Sequence, residues 1–124
     1  MIDILTIFIL LILFDIPYLL LTRNFYGDIV KGIQKSPMDI RYFSVIIVYI
    51  IMAIGIKYLV INNSKSIKDV IFYGAILGLF GYGIYDFTNY AIFTNWTINA
   101  VIIDVIWGVF LSAFVSAIYY LHFL

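Results

Sequence analysis

The chain contains no cysteine and no glutamate, and its single histidine, His122, lies close to the C-terminus. The absence of cysteine excludes disulfides, thiolate catalysis, iron–sulfur clusters and cysteine zinc sites. Any metal site would have to be built almost wholly from aspartates. The sequence therefore predicts no metal and no cofactor.

Charge is equally scarce. Charged residues make up 11% of the 124 residues, whereas a soluble domain carries roughly 25%. The seven basic and seven acidic residues cancel to a net charge of zero, which excludes a nucleic-acid-binding protein. With 65% hydrophobic residues, the chain is neither disordered nor a soluble enzyme. We predict a small integral membrane protein whose main partner is the lipid bilayer.

Four long apolar segments are separated by short polar connections. A transmembrane helix needs about 20 mostly apolar residues. The first segment carries Asp3 in place of a basic n-region and has no small-residue cleavage motif, so it is interpreted as an uncleaved helix. We predict an all-α, four-helix transmembrane bundle forming one domain, 1–124, with spans at about 4–21, 42–61, 70–92 and 98–120.

The first connection, 22–36, is expected to form either a short amphipathic turn in the membrane interface or a plain polar loop. Ser36 and Pro37, followed by Asp39, are expected to start the second helix, since serine caps helices and proline suits the first helical position. The positive-inside rule weakly favours a cytoplasmic first connection. The side of the membrane that holds the first connection carries Arg23, Lys31, Lys35 and Arg41, against Lys57, Lys65 and Lys68 on the side that holds the second connection.

Three aspartates interrupt the apolar spans: Asp15, Asp86 and Asp104. Each lies about six residues, or roughly 9 Å along a helix, from the same membrane face. We therefore predict that the three carboxyl groups form one layer. Because like charges cannot all ionise in a medium of low dielectric constant, we expect at least one carboxyl to be protonated at neutral pH.

This layer has three interpretations: a binding or transport site, a structural helix contact and an enzyme active site. An aspartate in a membrane helix costs at least about 2.5–3.5 kcal/mol, and such residues often mark ion paths or proton relays. The layer is then a site for protons, a cation or a small polar ligand, in a transport or channel-like role. Alternatively, the aspartates are hydrogen-bonding helix contacts, each worth about 0.6 kcal/mol, in a structural component of a membrane assembly. The residues expected at the site are Asp15, Asp86, Asp104, Asn89, Thr88, Tyr49 and Tyr82, with Arg41 as a counter-ion.

In the third interpretation, an intramembrane enzyme, paired aspartates would do acid–base work or hydrolysis. Against it, the chain has no activated nucleophile, no nearby histidine and no H-E-x-x-H motif, so no catalytic residue is predicted. Four glycines are expected at helix contacts: Gly74, Gly78 and Gly81 on the third span and Gly108 on the fourth. Small residues allow close helix approach, either within one chain or between copies in a homo-oligomer. The two tryptophans, Trp96 and Trp107, are expected mostly to anchor the chain at the interface.

Two motifs carry a family resemblance. The segment 82–89, YGIYDFTN, is followed by Trp96 and by 104–108, DVIWG. This pattern resembles domain-of-unknown-function family 2177, whose members have Y-x-x-Y-D-L-T-N-x-A, a tryptophan, then D-x-x-W-G. Asp15 resembles the acidic position in that family's first helix, with Tyr18 in place of a tryptophan; Phe87 replaces the usual leucine.

The resemblance extends over essentially the whole chain. It implies a four-helix membrane fold and no particular activity. Members of the family occur in bacteria and in large DNA viruses, so the cell membrane and a virion or internal membrane are both alternatives for the location.

Overall fold

The computed structural model describes residues 2–124; the first residue of the predicted domain lies outside them. Four α-helices follow one another in the order α1 Ile2–Gln34, α2 Tyr42–Gly55, α3 Ile67–Ile92 and α4 Ile98–His122. A π-helical turn, Ile56–Val60, and a 3-10 turn, Ile61–Asn63, prolong α2. Each of the four segments is long and apolar enough to cross a membrane. The predicted all-α membrane bundle is therefore confirmed for the part of the chain that the structure describes.

Helix α1 is longer than its apolar run. It has 33 residues and so measures about 50 Å at 1.5 Å per residue. The first connection, expected to be a short turn or a loop, is helical up to Gln34. Tertiary packing explains the extension, since Tyr26, Ile29 and Ile33 pack against a buried cluster around Trp96.

The expected helix start at Ser36 is wrong. Helix α2 begins at Tyr42, and Arg41 precedes it without a side-chain cap. Lys35 has a φ of 62°, a left-handed conformation that commonly ends a helix. The Gln34 side chain then donates a hydrogen bond of 2.8 Å to the Pro37 carbonyl. The polar residues of this segment therefore close α1 rather than open α2.

Side-chain hydroxyl groups cap the N-termini of α3 and α4. The Ser66 hydroxyl accepts a hydrogen bond from the backbone N–H of Asp69 at 3.3 Å. The Thr97 hydroxyl accepts one from the N–H of Ala100 at 3.1 Å. These caps fix the residues at which α3 and α4 begin, after the turns that lead back into the bundle.

Helices α3 and α4 pack backbone against backbone. A Cβ atom added to Gly74 would lie 2.9 Å from the Ala113 Cα, and one added to Gly78 would overlap the Gly108 carbonyl oxygen. These two glycines therefore allow a contact within one chain. Gly81 faces α2 instead, with its added Cβ at 3.5 Å from the sulfur of Met52.

The main apolar core lies at the end of the bundle that holds the N-terminus of α1 and the C-terminus of α4. Ile7, Leu11, Val60 and Val115 are fully buried there, while the outer faces expose large apolar side chains, as a lipid-facing surface does. Beside this core, Lys57 forms an ion pair of 3.1 Å with Asp3. The Tyr119 hydroxyl donates a hydrogen bond of 2.6 Å to the same carboxylate.

Candidate functional site

Asp15 is buried and has a donor for each carboxylate oxygen. The Trp107 indole N–H donates to Oδ1 at 2.7 Å, and the Tyr49 hydroxyl donates to Oδ2. These bonds connect α1 to α4 and to α2. Asp15 is thus held between three helices, and each of its carboxylate oxygens accepts a hydrogen bond.

Asp104 lies one helix turn from that contact. The Tyr18 hydroxyl donates a hydrogen bond of 2.7 Å to its Oδ1 atom. The Tyr18 ring stacks on Trp107, with ring centroids 5.0 Å apart and planes inclined by 6°. The antiparallel pair α1 and α4 therefore brings Asp15 and Asp104 close enough for their charges to interact.

Asp86 is the most deeply buried of the three aspartates. Its exposed fraction is 0%, and neither carboxylate oxygen has a hydrogen-bond partner among the described residues. It lies beside the Asp104 carboxyl and the Trp96 indole. The Trp96 N–H is also buried and unpaired within residues 2–124. Two unpaired polar groups and a second carboxyl therefore meet between α3, α4 and the turn that joins them.

Tyr82 of α3 packs against α4. Its ring covers Gly108, where an added Cβ would overlap it. The phenol is close enough to interact electrostatically with Asp15, Asp86 and Asp104. Tyr82 therefore fills the space that any larger residue at position 108 would need.

The other predicted residues are less central. Thr88 is exposed, and Asn89 is partly buried beside Tyr85. Arg41 is exposed, and it forms no ion pair in the described chain. It precedes Tyr49 by eight residues, or about 12 Å along the helix.

Tyr49 was expected at the site, but sequence reasoning missed the other aromatic partners of the aspartates. Trp96 and Trp107 were assigned to interfacial anchoring, yet Trp107 donates to Asp15 and Trp96 is only 6% exposed. Tyr26 was placed in the first connection, yet its hydroxyl donates a 2.7 Å hydrogen bond to the Ala100 carbonyl. The spacing of Trp107, three residues after Asp104, was the available signal, since i and i+3 share a helix face.

The carboxyl groups do not assemble a metal site in the described chain, where no three metal-ligating side chains converge. An apolar groove of about 480 Å³ lies on the outer side of Tyr18 and Trp107. Its remaining walls are Ile102, Ile103, Ile106 and Phe110. The groove faces lipid, and the carboxyl groups of Asp86 and Asp15 do not line it.

The chain matches a known protein family over almost its whole length. The model of the predicted membrane protein family DUF2177 matches residues 1–121. The chain belongs to this family. The match includes both motifs of the DUF2177 resemblance and all four apolar helices, and it supports an integral location in a lipid bilayer. No curated protein and no solved structure matches the chain.

Proposed function

We propose that this DUF2177 protein binds protons or a small cation between Asp86 and Asp104, in a transport or channel-like role. The observation that carries the proposal is the state of Asp86, whose buried carboxyl has no hydrogen-bond donor among residues 2–124. A buried carboxylate without a donor or a counter-charge is costly. A site that takes up a positive charge removes that cost.

The three aspartates divide into two roles in this proposal. Asp15 has two donors and serves as an anchor. Asp86 and Asp104 lie side by side, and like charges in such a place cannot both ionise. A single proton shared by the pair is therefore the simplest occupied state. Tyr82 and Tyr49 complete the inner lining.

The outer part of the proposed site lies on α3. Asn89 and Thr88 follow Asp86 within one helix turn and extend the polar surface toward the α3–α4 turn. Arg41 is assigned no counter-ion role in this proposal, because it is exposed and forms no ion pair among residues 2–124. A single four-helix bundle fills its centre with side chains, so net transport needs a homo-oligomer or an alternating motion.

The test is ion flux in liposomes that contain the purified protein. Asp86→Asn and Asp104→Asn each keep an acceptor and remove the titratable carboxyl. We expect both variants to fold and to lose proton or monovalent-cation flux. The matched control is Asp39→Asn, which makes the same change at an exposed position in the α1–α2 connection. Wild-type flux in folded Asp104→Asn would reject the proposal.

A structural role is the second candidate, and the bonding of Asp15 favours it. Its carboxylate joins α1 to both α2 and α4 through Tyr49 and Trp107, as a helix-packing aspartate would. The protein would then be a structural component of a cell, virion or organelle membrane with an assembly partner. Tight copurification with an assembly, unchanged when Asp86 and Asp104 are both replaced by Asn, would favour this role. Loss of assembly in that double variant would contradict it.

A further inference from the structure

We infer that Tyr18 and Tyr26 form a proton relay, which leads from the Asp86–Asp104 pair to the end of the bundle at the α3–α4 turn. The inference rests on the proposed function and narrows its ligand to the proton. It is drawn from a continuous row of oxygen atoms along α1 and α4.

The row has four members. The Tyr18 Oη lies 2.7 Å from Asp104 Oδ1 and 3.3 Å from the Tyr26 Oη. The Tyr26 Oη in turn lies 2.7 Å from the Ala100 carbonyl oxygen. Each oxygen is therefore within hydrogen-bonding distance of the next.

The number of protons decides what this row does. Each phenol has one hydroxyl proton to donate. With Asp104 ionised, the Tyr18 proton bonds to Asp104 and the Tyr26 proton bonds to the Ala100 carbonyl. No proton is then left for the contact between the two phenols, and this contact is the longest of the three.

One additional proton on Asp104 completes the row. The carboxyl O–H then donates to Tyr18, Tyr18 turns its hydroxyl to Tyr26, and Tyr26 keeps its bond to Ala100. All three contacts are now hydrogen bonds, and no heavy atom has moved. The row therefore has two complete arrangements that differ by one proton.

Transfer along the row conserves charge at each phenol. The O–H bond of Asp104 breaks as Tyr18 gains that proton, and the original Tyr18 proton passes to Tyr26. The Tyr26 O–H bond then breaks, and the original Tyr26 proton passes to a surface water molecule, which becomes hydronium. Both phenols end neutral, Asp104 ends as a carboxylate, and the pair keeps its one shared proton, on Asp86.

The outer end of the relay lies near the surface. Tyr26 is partly exposed, and its neighbours Arg23 and Asp28 are exposed. It follows Leu21, the expected end of the first span, by five residues, or about 7 Å. A proton that reaches Tyr26 is therefore close to the membrane–water interface.

The surroundings of the pair suit a proton better than a metal cation. Helix α1 contributes Asp15 and Tyr18, α2 contributes Tyr49, and α3 contributes Tyr82 and Tyr85. Apart from Asp15, whose oxygens already accept two bonds, these groups are neutral phenols. The two carboxyls, one fully buried and one partly buried, fall short of the six or more oxygen ligands that a hard cation prefers.

The experiment measures proton flux into liposomes that hold the full chain, with a pH-sensitive dye inside and a potassium diffusion potential as driving force. Tyr18→Phe and Tyr26→Phe each remove one hydroxyl and keep the ring. We expect either change to slow the flux by roughly 100-fold, as loss of a positioned proton-transfer group does. Tyr73→Phe makes the same change at an exposed position of α3 and should leave the flux unchanged.

The outcomes separate the relay from the proposed function. Loss of flux in Asp104→Asn with wild-type flux in both phenylalanine variants would overturn the relay and keep the site. Transport of sodium without proton movement would overturn the relay in the same way. Absence of all flux from folded wild-type protein would overturn both.

A second measurement guards against a variant that fails to fold. Wild-type flux is compared in light and heavy water, because a rate set by proton hops falls when deuterons replace protons. We expect slower flux in heavy water, and an equal rate would contradict the relay.

Discussion

Replacing Gly78 by alanine tests the contact that holds Asp86 beside Asp104. The added Cβ would overlap the Gly108 carbonyl oxygen and lie 2.9 Å from the Val109 Cα. Because these neighbours are backbone atoms, no side chain can turn aside. Helix α3 must move away from α4.

The expected cost follows from the size of that movement. Carbon atoms in contact are normally about 3.5–4.0 Å apart, so the helices must separate by roughly 0.6–1.1 Å. A gap of this size removes a quarter to a half of the dispersion energy along the contact. Overpacking of this kind costs about 1–3 kcal/mol. We expect Gly78→Ala to lower the free energy of unfolding by about 2 kcal/mol, or roughly 30-fold in the unfolding constant.

Gly81→Ala is the matched control on the same helix. Its added Cβ would lie at 3.5 Å from the Met52 sulfur, an ordinary contact, and alanine is a better helix former than glycine by up to about 1 kcal/mol. Unfolding is measured by titrating micellar protein with sodium dodecyl sulfate and following tryptophan emission. The midpoint should fall for Gly78→Ala and stay equal or rise for Gly81→Ala. Equal midpoints for the two variants would refute the packing argument.

Three further predictions use the same titration or the same fluorescence. Tyr49→Phe removes one donor from the buried aspartate of α1 and should destabilise the fold by about 1–3 kcal/mol; an unchanged midpoint would contradict that bond. Thr97→Ala should cost about 1 kcal/mol because it removes a helix cap, whereas Ser36→Ala should cost nothing; the opposite order would restore the helix start that we reject. Trp96 is only 6% exposed, so in a Trp107→Phe background its emission should resist aqueous iodide, and strong quenching would show that the turn is open.

The lengths of the apolar runs predicted most of the fold. They failed where contacts between distant residues determine where a helix ends. The span expected at 98–120 corresponds to α4, Ile98–His122, because an apolar run bounded by a threonine cap contains its own start signal. The extension of α1 has no such run. Residues 22–34 are mixed in polarity and become helical by packing on Trp96, a contact about 70 residues away that local periodicity does not contain.

In the candidate site, too, sequence spacing predicts one property of the aspartates and packing determines another. Helix rise gives the depth of a residue, so Asp15, Asp86 and Asp104 could be assigned to one level from spacing. The partner of each carboxyl depends on how the helices are rotated about their axes, and rotation follows from packing. Sequence spacing therefore could not show that Asp15 pairs with Trp107 while Asp86 is left without a donor.

The contacts between α1 and α4 also impose an order on the biogenesis of the protein. Asp15 and Trp107 are 92 residues apart in sequence, which a ribosome needs roughly 5–20 s to add. During that time α1 carries an aspartate whose insertion alone costs about 2.5–3.5 kcal/mol, and Tyr49 is the earlier of its two donors to be made. Helix α1 has the most apolar window of the four spans and so inserts despite this cost, while the arrival of α4 supplies Trp107, the second donor to Asp15.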